Sequence, residues 1–275
     1  MKKLALFIAF FFTTHSAFAA VTFDGANDVI GCGSSASIDN LDTQGGGGLT
    51  LSAWINPTGL GEGSLGCIIR KGSLLSDSGQ YTFQITTGNV IRFQKDCSTS
   101  DMTMPSAADQ ITIGVWQHVL VTWDGSVTAA NAHIYVNNVE VSYGTPVDGA
   151  GSVRSDAALN FNIGNGDGTS ITFAGGITEV VAFNKIVSAD ERAQLYGYGT
   201  PLKFLPASID RGSVKGYWPM NEAANGVTLS TGNFVKDWSG NSNHGTQSGS
   251  PVGLTEILRH NTQIFNSSIY SGSVY

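Results

Sequence analysis

Residues 115–138, VWQHVLVTWDGSVTAANAHIYVNN, decide how the rest of the chain is arranged. Val119, Val121 and Trp123 recur at every second position, which places their side chains on one face of a pleated strand. Trp116, His118, Leu120 and Thr122 fill the alternate positions, so both faces carry bulky groups. A strand dressed this way belongs inside a sandwich and not at a wet edge. Asp124-Gly125 opens a loop, and residues 132–136 start a second strand. Asn137-Asn138 then supplies the left-handed backbone of a tight hairpin turn. Residues 139–143 return as the next strand.

The same alternation marks residues 49–57, LTLSAWINP, with Leu49, Leu51, Ala53 and Ile55 on one face. Trp54, on the other face, reads as core and not as a sugar platform. Residues 67–71, 81–86 and 90–95 follow as antiparallel strands, the last two joined by Thr87-Gly88-Asn89. Residues 98–109 read as an irregular polar loop at a sheet end, where binding residues often sit. Residues 159–164 lead into Asn165-Gly166-Asp167-Gly168, a turn that offers Asp167 as a cation or sugar contact. Residues 175–183 form a closing strand. Ser188 and Glu191 then make a capping box for a helix over 189–196 that stops at Gly197.

Composition agrees with an all-β chain. Among 275 residues, 35 are Gly and only 13% are charged, the profile of many short strands joined by turns. A hydrophobic content of 41% excludes global disorder. Residues 1–19 read as a signal peptide: Lys2 and Lys3, an apolar run over 4–12, and Ala17-Phe18-Ala19 as the cleavage site. That run is far below the roughly 20 residues a membrane span needs. The expectation is an exported protein, extracellular, at the cell surface or periplasmic, that does not span the membrane. Loss of Lys2 and Lys3 takes the net charge from −7 to −9, a balance unsuited to nucleic acid. Cys32, Cys67 and Cys97 allow one bridge at most. Cys67–Cys97 is the favoured pairing, because both lie on or beside strands of one sheet; a free buried thiol suits the third.

Several segments together resemble the laminin-G-like jelly rolls of the concanavalin A-like lectin/glucanase superfamily. They are Trp116-x-His118-Val119, Trp123-Asp124-Gly125, Tyr135-Val136-Asn137-Asn138, Phe23-Asp24-Gly25 and Ser52-x-Trp54-Ile55. The segment from Gly175 to Val180 resembles the family's closing strand, with Thr178 where the family usually has Asp. The resemblance covers residues 21–196 and, out of order, residues 215–246. Trp218-Pro219 and Asp237-Trp238-Ser239-Gly240-Asn241 normally open such a domain, whereas here they come last. The resemblance implies a two-sheet antiparallel jelly-roll sandwich over residues 20–200. A C-terminal β appendage over 201–254 is expected to dock on it, with Tyr217-Trp218 packing beside Phe23. Residues 255–275 read as a polar tail.

Chemistry is sparse. Asp24, Asn27 and Asp28 gather hard oxygen ligands suited to calcium, the one cofactor expected, or else cap their own turn amides. The glucanases of this fold carry Glu-x-Asp-x-x-Glu, two carboxyls on one strand as retaining hydrolysis requires. Here Glu179 is followed by Val181 and stands alone. His118 and His133 are candidates to meet across the hairpin around a metal or a proton; as scattered histidines they equally suit hydrogen-bonded fillers. The expected function is an exported, non-catalytic binding or adhesion module. It would recognise glycan or a surface protein through loops at one end of the sandwich, with Tyr81, Asp167 and Trp238 as contacts. A coat or appendage subunit and a carbohydrate-active enzyme are the alternatives.

Overall fold

The alternating stretches at 49–57 and 117–123 become paired neighbours in the middle of one sheet. The computed structural model describes residues 15–44, 47–72, 78–166, 170–201, 204–229 and 235–259. Its strands are β1 (His15–Asp24), β2 (Val29–Gly31), β3 (Leu49–Pro57), β4 (Leu65–Lys71), β5 (Tyr81–Thr86), β6 (Val90–Lys95), β7 (Met102–Pro105) and β8 (Gln117–Trp123). After these come β9 (Ala132–Val136), β10 (Val139–Glu140), β11 (Phe161–Ile163), β12 (Ala174–Phe183), helix α1 (Ala189–Tyr196), β13 (Val214–Trp218), β14 (Thr246–Ser248) and β15 (Val252–Arg259). The first sheet runs β10-β9-β8-β3-β12-β1-β15, with β13 also paired to β12; the second runs β14-β2-β11-β4-β5-β6-β7. Every strand pairing is antiparallel, as a jelly-roll sandwich requires.

The core lies between the sheets because each strand turns its apolar set inward. Leu51, Val121 and Ile177 come from the first sheet and Ile69, Phe83 and Phe93 from the second, all fully buried. Gly164 is required where it sits: its φ is +83°, and a Cβ there would lie 2.1 Å from the Phe23 ring. Helix α1 starts and stops as its sequence dictates. Ser188 accepts from the Glu191 amide at 3.2 Å, Glu191 reaches back to the Ser188 amide at 2.9 Å, and Gly197 closes it in the left-handed conformation.

The edge of β12 is shared. β1 pairs with its first half, Val21 facing Ile177, and β13 pairs with its second half, Trp218 facing Val180. Between them the strand bulges at Thr178–Val181 against β3, with Glu179 at φ 50°. The Thr178 hydroxyl sits at this seam, 2.7 Å from Ala19 O and 2.9 Å from Pro219 O. Thr178, where the family usually has Asp, is here a stitch between two strand ends.

The C-terminal part is more than an appendage. β13 and β15 enter the first sheet and β14 the second, so residues after 201 complete both sheets. Trp218 fills the core, stacked on Phe161 with ring centroids 5.0 Å apart, and its Nε1 donates to Asn243 O at 2.8 Å. The Asp237-x-Ser-Gly-Asn motif fixes this strand. Asp237 Oδ1 accepts from the Tyr217 amide and Oδ2 from the Asn243 amide. Residues 255–259 belong to β15 and not to a tail; residues 260–275 lie outside the described residues. The polar stretch 98–109 likewise contains β7, whose Met102 and Met104 are buried.

Candidate functional site

On β5 and β6 apolar residues alternate inward, leaving Thr82, Gln84, Arg92 and Gln94 on the outer face of the second sheet. The register lines them up: Arg70 faces Thr82, Thr82 faces Gln94, and Gln84 faces Arg92. With Leu65, Gln80, Asp96 and Asp101 they line a hollow of about 440 Å³, open mouth included. Only about 100 Å³ of it can be entered, below the size of a pocket for a whole small molecule, so it suits one edge of a ligand; its lining is rich in planar polar groups. Two guanidinium groups and three carboxamides can each offer paired hydrogen bonds.

Some of these groups are already committed. Arg70 donates to Gly72 O at 3.2 Å, to Thr82 Oγ1 at 3.0 Å and to Gln80 Oε1. Gln94 donates to Asp101 Oδ2 at 3.1 Å, and Asp96 pairs with Arg154 at 3.4 Å. Others are free to bind. The Arg92 Nε–H is buried with no acceptor, and burial pulls its guanidinium below the ordinary value. The Gln84 carboxamide, 3% exposed, makes no hydrogen bond with the described residues.

The structure does not bring the expected site residues together. Tyr81 points into the core at 1% exposure, with its ring under Lys95 Nζ at 5.7 Å, because position 81 falls on the inward set of β5. It is a core residue and not a ligand contact. Trp238 is 46% exposed and lies 6.1 Å from Phe204, centroid to centroid, but its amide bonds Tyr217 of the first sheet, away from the cleft. Asp167 lies outside the described residues. The grouped polar face sits on strands and not on loops at one end of the sandwich.

Asp24, Asn27 and Asp28 act as turn caps. Asp24 Oδ1 accepts from the amides of Ala26 and Asn27, at 2.8 and 3.0 Å. Asp28 Oδ2 accepts from Asp24 N at 2.8 Å and its Oδ1 from Ser250 N at 2.6 Å. Asp28 is also buried, which raises its pKa, the reverse of what an anionic cation ligand wants. Calcium takes six to eight oxygens, and part of this set is already taken up by turn amides. Among the described residues no group of three His, Cys, Asp or Glu side chains could hold a metal ion.

The cysteine pairing is also corrected. Cys32, Cys67 and Cys97 are all free and buried. Cys67 on β4 faces Gln84 on β5, while Cys97 follows β6, so β5 lies between them. Two strand spacings of about 4.8 Å each exceed the ~7 Å Cα limit of a disulfide.

His118 and His133 do not meet. His118 bonds Ser52 Oγ at 2.8 Å in the interior, where burial lowers its pKa to about 3 and keeps it neutral. His133 faces Thr122 across the hairpin and bonds Glu140 at 2.8 Å on the surface. Glu179 accepts from Tyr217 OH at 2.7 Å, and burial raises its pKa to about 8.

Two antiparallel sheets with a buried core between them define a jelly-roll sandwich. The family model for the concanavalin A-like lectin/glucanases superfamily matches residues 31–191, more than half of the chain. The chain belongs to that superfamily. No curated protein matches it. Among solved structures it is similar to a protein from Bacteroides ovatus whose assigned role, carbohydrate binding, is itself provisional. That match has 17% identity and a TM-score of 0.53, over 89% of this chain and 60% of the other. The chain therefore spans less than two thirds of that relative. It is also similar to a heptameric SAP-like pentraxin from Limulus polyphemus, at 13% identity and TM-score 0.45, over 65% of this chain and 82% of the other. Domain 4 of an extracellular arabinanase from Geobacillus stearothermophilus, in complex with arabinotriose, gives 16% and 0.45, over 64% and 76%.

Proposed function

We propose that this chain is an exported, non-catalytic glycan-binding module whose contact surface is the polar cleft across β4, β5 and β6. The observation that carries the reading is the uncommitted pair Gln84 and Arg92, set opposite each other in a hollow lined by planar polar side chains. The buried Arg92 Nε–H without a partner is destabilising, and vicinal sugar hydroxyls both donate and accept in pairs. A sugar edge would satisfy them together. The fold shared with the Bacteroides ovatus protein is one to which carbohydrate binding has been assigned, which supports the same class of ligand.

Export rests on the signal-peptide pattern of residues 1–19. Cleavage after Ala19 would leave every β1–β12 pair, from Val21–Ile177 to Asp24–Ala174, in place, while removing the β1–β15 pairs from His15–Arg259 to Ala19–Thr255 and the Thr178 bond to Ala19 O. No helix of the described residues is long and apolar enough to cross a membrane.

The test is a glycan array probed with the full chain and with a Gln84→Ala/Gln94→Ala double variant. Binding weakened about tenfold or more in a variant that melts like wild type supports the cleft. Equal binding by both proteins moves the site elsewhere. Wild type that retains no glycan rejects the reading.

A further inference from the structure

We propose that the sugar taken by the cleft is anionic, its acid group a carboxylate seated on the guanidinium of Arg92. This rests on the glycan-binding reading and adds the substrate class. Among the described residues Arg92 has neither a side-chain hydrogen bond nor an ion pair, and its Nε–H is buried. The other charged groups of the cleft are occupied. Asp96 holds Arg154, Asp101 takes the Gln94 amide, and Arg70 is spread over Gly72 O, Thr82 and Gln80. A cation withdrawn from water without a counter-charge is a destabilising feature, and it is relieved when a ligand brings the charge. The flat fork of a guanidinium matches the two oxygens of a carboxylate. Gln84 stands directly across the strand pair from Arg92, free to hold an adjacent ring hydroxyl. Neutral sugar would bond the carboxamides but leave the charge unanswered.

A sulfate ester offers related chemistry, so the test separates the two. Full-length protein labelled with nitrogen-15 is titrated with three acidic–neutral pairs of the same ring configuration: glucuronate and glucose, galacturonate and galactose, mannuronate and mannose. Galactose 6-sulfate is a further arm. The arginine Nε–H resonances are followed, with the Arg92 signal assigned by its disappearance in Arg92→Gln. The expected result is a shift of the Arg92 signal and binding about tenfold or more tighter for one uronate than for its neutral partner. That ratio falls close to one in Arg92→Gln and shrinks with added salt. Tighter binding of the sulfated sugar than of every uronate overturns the carboxylate assignment. Equal affinity for acidic and neutral partners overturns the anionic inference and leaves the glycan reading standing. If no sugar, acidic or neutral, binds wild type, the glycan reading itself falls. The wild-type ratio of acidic to neutral affinity and its fall with added salt decide the matter even if Arg92→Gln does not fold.

Discussion

Replacing Glu179 by Gln is expected to stabilise the protein at neutral and alkaline pH and to do little in acid. Glu179 sits at the bulge of β12 with its carboxyl buried against Tyr217 OH at 2.7 Å. Burial raises its pKa from 4.5 to about 8. A carboxyl whose pKa is higher folded than unfolded contributes stability that is complete below pH 4.5. That contribution is lost as the pH climbs through 8, because the unfolded chain ionises more readily. The whole gap corresponds to about 5 kcal/mol, of which about 3 kcal/mol is already lost at pH 7. Gln has the shape of the protonated acid and its Oε1 still accepts from Tyr217, so the variant keeps the contact without the ionisation. At pH 7 the melting temperature should rise by roughly 6–12 °C, since 1 kcal/mol moves a domain of this size by about 2–4 °C. The assay is thermal melting of both proteins at pH values from 4.5 to 9. Curves that run parallel across that range would refute a buried, hard-to-ionise Glu179.

Trp218→Ala should lose about 3–5 kcal/mol, since the ring is fully buried on Phe161; denaturant titration reads it, and an unchanged midpoint would place the ring outside the core. All three thiols should react with a maleimide in the denatured, unreduced protein, whereas a mass showing one label would restore a bridge. Native protein should react slowly, since burial raises the Cys67 pKa to about 12. Melting temperatures in calcium and in chelator should agree, because the oxygens of Asp24 and Asp28 cap amides; a clear rise with calcium would reinstate that turn as a cation site.

The sheets were legible where periodicity was strong. Residues 49–57 and 189–196 come out at the bounds their patterns predict, since alternation and a capping box are local signals. The Cys67–Cys97 pairing failed because it depends on the strand between them, which spacing along the chain does not reveal. Tyr81 was misplaced by one face: an aromatic at a strand start suits core and surface equally until register is known. The cleft escaped notice because its members are ordinary Gln, Thr and Arg residues on three strands. The signal available was the polar alternation Thr82-x-Gln84 and Arg92-x-Gln94. Lys71 and Lys95 were invisible as interior residues. They are tolerated there by Asp39 at 2.6 Å and Asp156 at 3.8 Å, partners supplied from distant loops.

The seam on β12 has a bearing on how the chain reaches its native state. β1 and β2, among the first strands synthesised, take β15 and β14, the last, as neighbours, and Thr178 joins the end of one group to the start of the other. A nascent chain that lacks residues 246–259 therefore has both sheets open at one side, however long it waits. Pairing partners so far apart in sequence make closure slow relative to hairpins such as β5–β6. During that interval the edges of β1 and β2 stand unpaired, the state in which strands associate with other chains. Synthesis of the C-terminal strands is thus the step that ends the period of exposure.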